Sequence, residues 1–221
     1  MTRPRAAPRL SRTSSSLHGA VRDQLKEGVT RGIFPGAVAC VVTGRRVLAL
    51  EAVGFAQIVP RRRPVEAHTI FDLASLTKPL ATTTAILQLC ARGLLELDEP
   101  VAAYLPSLAN SGLARITTRH LLTHTSGLPA WEMLYLPSPR RPDGGRAASC
   151  RSIAEAVERI GATPTSAPPS VEVEYSDLGF IVLGHLVAHL SRQALDVYTY
   201  QHIVHPLGLR SVRFRPPTSW R

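Results

Sequence analysis

Residues 71–80 read FDLASLTKPL and place a serine, Ser75, three positions before a lysine, Lys78, just ahead of a long apolar run. Residues three apart on a helix share a face, so hydroxyl and amine meet if a helix begins here. Pro79 fits that start, because proline is tolerated in a first helical turn, where its missing N–H would be unpaired anyway. Helical spacing continues through Leu80, Ile86, Leu87, Leu89 and Cys90, and Gly93 supplies a stop. Ser75 thus falls at the mouth of a helix, where free N–H groups and the dipole favour developing negative charge. A serine hydroxyl needs a base to become a nucleophile. An amine one turn away supplies it if burial or a neighbouring charge lowers its pKa from about 10.4.

The composition makes this lysine informative. Of 26 basic residues only Lys26 and Lys78 are lysines, and the rest are arginines. Arginine is not deprotonated in proteins and could not serve as a base at position 78. The four-residue pattern by itself is short enough to arise by chance in a serine-rich chain. Its meaning therefore depends on the surrounding segments.

Upstream, Leu17, Val21, Leu25 and Val29 predict an amphipathic helix from Ser16 to near Gly32. Residues 37–43 (AVACVVT) and 47–53 (VLALEAV) flank Gly44-Arg45-Arg46 and predict a β-hairpin, followed by a basic, proline-bearing loop over 58–65. Downstream, LLELDEPVAAYLPSL (94–108) predicts a turn and a short helix closed by Pro106. A threonine N-cap opens the next segment, which ends in the Ser126-Gly127 turn. Residues 137–150 read as a polar loop, and Ser152 with Glu155 has capping-box spacing for a helix to about Ile160. After a loop over 162–170, EYSDLGF (174–180) leads into the apolar helix pattern Ile181, Leu183, Leu186, Val187 and Leu190, and a last helix covers 194–204. No strand is expected after residue 53 except the short VEVEY (171–175).

At 221 residues the chain suffices for one good core or two small lobes. Its 44% hydrophobic content is ordinary, and no run approaches the eighteen or so apolar residues of a membrane span. The formal charge of +10 is partly carried by residues 1–15, which read as a disordered basic tail without the apolar region of a secretory signal. Aromatic residues make up only 5% and no nucleic-acid motif accompanies the arginines, so no nucleic-acid partner is expected. The three cysteines, Cys40, Cys90 and Cys150, are too far apart for a metal site or a disulfide framework. Cys40 and Cys90 lie in apolar runs and are expected to be buried. Free thiols and the lack of a signal point to a cytoplasmic location.

In order and spacing, FDLASLTKPL, LLELDEPVAAYLPSL, ITTRHLLTHTSGLPAW, EYSDLGFIVLGHLV and HIVHPLGLRSVRF resemble the serine β-lactamase and penicillin-binding-protein superfamily. The likeness covers most of residues 33–216 and is strongest to the class C-like branch of lactamase-related serine hydrolases, which includes esterases and D,D-peptidase-like proteins. It implies an α+β fold of the β-lactamase/transpeptidase type: a mostly helical lobe plus an incomplete antiparallel sheet, forming one domain over 16–221. It also implies a serine hydrolase that works through an acyl-enzyme on a small ester or amide, peptidoglycan-like substrates among them, with no cofactor and no metal. By position, Ser75 resembles the acylated nucleophile, Lys78 its proton partner, and Tyr175 the tyrosine that exchanges protons with Ser75 and the leaving group.

Two departures qualify the likeness. Where much of the family has asparagine, this chain has Asp177, expected to face substrate. An ionised aspartate cannot donate the hydrogen bond that asparagine gives to a carbonyl. The family also continues with strands bearing a K-T-G or H-x-G motif, which this sequence does not contain. The expectation is thus a domain lacking its C-terminal strands and a feeble catalyst, with an inactive fragment or pseudoenzyme as the rival reading. The histidine pairs His120/His124 and His185/His189 lack the glutamate of a zinc-hydrolase helix and read as exposed or capping residues.

Overall fold

In the computed structural model, residues 15–134 and 150–217 are described. The basic tail expected over 1–15 lies outside them except for Ser15, as does the polar loop over 137–150 except for Cys150. The architecture is α+β and divides into two compact units, the first ending at Phe71 and the second beginning at Asp72.

The first unit is a helix on a small antiparallel sheet. Helix α1 (Ser15–Thr30) packs on strand β2 (Arg46–Gln57), which pairs with β1 (Gly36–Thr43). The hairpin turn is Gly44-Arg45, with Gly44 at φ +52°, a conformation that favours glycine. The covered face of β2 carries Ala49 and Glu51, both buried. A buried carboxylate needs partners, and Glu51 has two from α1: Arg22 Nε at 2.7 Å and His18 Nδ1 at 2.5 Å. The hydrogen bond from Arg22, then that from His18, holds the Glu51 carboxyl below its ordinary pKa.

Three sequence expectations change here. β2 runs on to Gln57, and a two-residue strand β3 (Arg63–Pro64) pairs with it where a plain loop was expected. Proline is acceptable there because β3 is the outer strand and needs no further ladder. Cys40 is exposed rather than buried, because it lies opposite Leu50 on the sheet and Leu50 is itself 42% exposed. In the second unit VEVEY forms no strand despite its β-rich composition, since among the described residues no neighbouring strand offers it a ladder.

The second unit is helical and organised around α6 (Asp177–Ser191). Leu178, Val182, Leu183, Leu186 and Val187 of α6 are all buried, the pattern of a helix enclosed on every side. Around it pack α2 (Thr84–Ala91), α3 (Val101–Tyr104), α4 (Thr118–Leu122), α5 (Ile153–Gly161) and α7 (Leu195–Thr199). Among the described residues no single helix is long and apolar enough to cross a membrane.

Side-chain caps set where these helices begin. Thr117 Oγ1 accepts from His120 N at 3.2 Å while His120 Nδ1 accepts from Thr117 N at 3.1 Å, a reciprocal box in which histidine stands where glutamate is usual. Ser152 Oγ accepts from Glu155 N, and Ser176 Oγ accepts from Gly179 N to open α6. Ser176 Oγ also donates to Pro129 O at 2.7 Å, and Asp177 N to Ala130 O at 2.7 Å, so the loop after α4 is stitched to the start of α6.

That loop turns at Gly127, at φ +75°, where an added Cβ would lie 2.0 Å from the Ala167 carbonyl oxygen. Backbone cannot retreat from such a clash as a flexible side chain would. Gly127→Ala is expected to lower stability by at least about 2 kcal/mol. Urea unfolding checks this, and an unchanged midpoint would contradict the close packing of the loop.

Candidate active site

Ser75 sits in a 3-10 turn (Ala74–Leu76) rather than in regular α-helix. Ala74 just before it has φ +43°, a left-handed conformation that costs a non-glycine residue energy. Asp72 braces this turn, its Oδ1 accepting from Ala74 N at 2.8 Å. The chain continues as a π-helical segment (Lys78–Thr83) before entering α2, with Pro79 in its first turn as the sequence predicts.

The serine and lysine do meet. Lys78 Nζ donates to Ser75 Oγ at 3.3 Å and to Asp177 Oδ1 at 2.5 Å. It also lies 4.9 Å from the centroid of the Tyr175 ring and 5.6 Å from that of Phe180. Tyr175 directly precedes the Ser176 cap, so the packing of α6 against the 78–83 segment and α2 brings its ring to the lysine. Ser75, Lys78, Tyr175 and Asp177 therefore converge at one place, with Lys78 at the centre.

The electrostatics reverse one expectation. Burial by itself pushes Lys78 down, but the hydrogen bonds with Asp177 and Tyr175 and their charges outweigh it, leaving its pKa raised above 10.5. The raised pKa keeps Lys78 charged at neutral pH. Asp177, which sequence reading assigns to substrate, places one carboxylate oxygen on the lysine. Tyr175 moves the other way: hydrogen bonds from Lys78 and then Ser75 hold its phenol below the ordinary 10.0, against a small opposing effect of burial. Tyr175 as a whole residue is 51% exposed.

Sequence reading missed His124. Its backbone oxygen accepts from Glu174 N at 2.9 Å and its Nδ1 from Ser176 N at 3.0 Å. Its ring lies against Tyr175, with centroids 4.5 Å apart and a 33° tilt. Weighing it as half of a pair with His120 hid this, because His120 is the cap of α4 and the two do different work. The one available signal was its place in the HTSGL turn, which offers no hint of the distant partner. Among the described residues no group of three or more His, Cys, Asp or Glu side chains is placed to hold a metal ion.

A family model described as Beta-lactamase matches residues 21–221. The chain is 36% identical over 186 residues to Esterase EstB of Burkholderia gladioli, covering 81% of this chain and 47% of that protein. It is 32% identical over 206 residues to an N-acetylmuramyl-L-alanine amidase of Bacillus subtilis (strain 168), covering 88% and 46%. The chain thus spans about half the length of these curated relatives. A class C β-lactamase structure superposes with a TM-score of 0.76 over 94% of this chain and 53% of that one, at 21% identity, which shows the shared fold.

If Lys78 acts as a fixed cation, Tyr175 should titrate below 10.0 in the unsubstituted chain and return toward it in Lys78→Ala. Carbon-13 NMR of the tyrosine Cζ, assigned with Tyr175→Phe, reads this directly. An identical titration in both proteins would show that the lysine does not tune the phenol.

Proposed function

The chain belongs to the β-lactamase family, and on that premise we propose that it hydrolyses esters or amides through an acyl-enzyme on Ser75. The observation that carries this reading is the contact of Ser75 Oγ with the Lys78 ammonium at 3.3 Å, beside a tyrosine whose phenol both residues acidify. In this reading the Tyr175 phenolate is the base and Lys78 is the cation that keeps it available. Tyr175 takes the proton of Ser75 Oγ as that oxygen bonds to the substrate carbonyl carbon. The resulting oxyanion lies near the start of the helical run from Ala74, where the dipole is favourable. Tyr175 then gives its proton to the departing alcohol or amine as the scissile bond breaks. A water, deprotonated by the same phenolate, attacks the acyl-serine, and Tyr175 returns that proton to Ser75 Oγ as the acyl–oxygen bond breaks and the acid leaves.

Asp177 bears on the choice of substrate. Its side chain is 54% exposed and can only accept hydrogen bonds in its ionised form. Beside the scissile bond it would accept a substrate N–H and repel a substrate carboxylate. Neutral esters, amides and amine-bearing acyl donors fit this better than an anionic β-lactam does. Esterase EstB and the amidase support the ester and amide classes by their names.

The test is labelling by a fluorophosphonate together with hydrolysis of a p-nitrophenyl ester by the purified chain. Ser75→Ala should abolish labelling, and Tyr175→Phe should slow acylation by about a hundredfold or more. Undiminished labelling of Ser75→Ala would overturn the assignment of the nucleophile. Acylation of Tyr175→Phe at the full rate would remove the tyrosine as base.

A further inference from the structure

Resting on that reading of the site, we propose that His124 is the positioning residue that holds Tyr175 in its working orientation, and that it does so only as a neutral imidazole. The argument begins with the backbone. The N–H groups of Glu174 and Ser176, the residues on either side of Tyr175, both bond to His124, one to its main-chain oxygen and the other to its ring nitrogen. The tyrosine is thus fixed at both flanks by one residue, whose ring also stacks on its own at 4.5 Å. Phe180 of α6 lies on the His124 ring as well, at 5.2 Å and a 34° tilt, so the imidazole is packed between two aromatic rings.

The conformation of His124 makes this double contact possible. Its φ of +59° is left-handed and sits just past the C-terminus of α4. There its main-chain oxygen and its side chain both serve the 174–176 segment. Such a conformation is uncommon outside glycine and the short polar residues, and it calls for compensation from the contacts it creates.

The hydrogen-bond chemistry fixes the protonation state. A backbone N–H can only donate, so Nδ1, which receives the Ser176 N–H, carries no proton, and the ring proton is on Nε2. Protonating Nδ1 would set two N–H groups against each other and open one side of the clamp. The groups facing the ring are Lys78 from the π-helical segment, Tyr175 from the approach to α6, and Asp177 from α6 itself. Burial and the Lys78 charge push His124 below its ordinary 6.5, and Asp177 opposes them without prevailing. The clamp's contribution to stability is therefore present above about pH 6.5 and lost as the pH falls through the lowered value. Ser75 acylation should fall more steeply in acid than loss of the Tyr175 phenolate alone would cause.

Three proteins test this: the unsubstituted chain, His124→Phe and His124→Asn. Phenylalanine keeps a stacking ring but loses the acceptor; asparagine tolerates the left-handed backbone and offers an acceptor oxygen that does not titrate. In His124→Phe, acylation of Ser75 by p-nitrophenyl acetate should slow by about tenfold with KM little changed, and the Tyr175 Cζ titration should shift upward. In His124→Asn part of that rate should return and the extra acid steepness should vanish. Nitrogen-15 NMR of the unsubstituted chain should show an unprotonated Nδ1 until the pH drops below the ordinary histidine range.

The clamp is overturned if His124→Phe acylates at the unsubstituted rate with an unchanged tyrosine titration. It is equally overturned if His124 protonates in the ordinary range without disturbing the Tyr175 signal. If His124→Phe fails to fold, His124→Asn and the histidine titration still decide between these results. If Ser75 never acylates in any protein, the functional reading falls alone, because the tyrosine and histidine titrations need no turnover.

Discussion

A single ammonium group ties the site together. Lys78 Nζ is shared between the Ser75 hydroxyl and the Asp177 carboxylate, and it sits over the edge of an aromatic pocket made by Tyr175 and Phe180. Its side chain is only 14% exposed, and a charge so far removed from water persists only with a partner of opposite sign. Asp177 is that partner. The carboxylate at position 177 therefore raises the pKa of Lys78, while the lysine in turn lowers that of Tyr175.

This arrangement depends on helix packing. Tyr175 and Asp177 reach Lys78 because α6 begins between them, and α6 begins there because Ser176 caps it and the loop from Ser126 to Ala130 is bonded to its first turn. The helix is held along its length by buried leucines and valines that face α2, α4, α5 and α7. Apolar packing, which carries no chemical specificity, thus sets the distance between charged groups on two segments 99 residues apart in sequence.

How much of this could be read from the sequence follows from the range of each interaction. The Ser75–Lys78 pair was legible because three residues of helix bring the two together without outside help. The caps at Thr117 and Ser152 were legible for the same reason. Tyr175 and Asp177 came into view only through the resemblance of five ordered segments, since nothing local to EYSD points at residue 78. The sign of the Lys78 shift was not legible, because it is the balance of a burial and an ion pair that exist only in the folded chain. His124 escaped for a related reason: its partners are backbone groups, which no side-chain pattern reveals. Cys40 and VEVEY misled in the opposite direction. Both have β-rich, apolar surroundings, and composition of that kind says that a segment suits a sheet, not that a covering face or a neighbouring strand is present.

Strain completes the account. Among the described residues, five non-glycine positions have positive φ, and two of them adjoin the chemistry: Ala74 before the serine and His124 beside the tyrosine. Each such conformation costs about 1–2 kcal/mol in an unconstrained chain, so neither would persist without contacts that favour it. At Ala74 the contact is the Asp72 carboxylate; at His124 it is the pair of N–H groups that flank Tyr175. A third, Ser170, donates or accepts at His120 Nε2, on the cap of the helix that ends in His124. Ser170 and His124 both adjoin α4, one at the Thr117–His120 box that opens it and the other just past its C-terminus. Relaxing Ala74 would release its local cost but loosen the turn that carries Ser75, and relaxing His124 would loosen the segment that carries Tyr175. Strain of this kind is retained where geometry matters more than local comfort, and here it adjoins Ser75 and Tyr175.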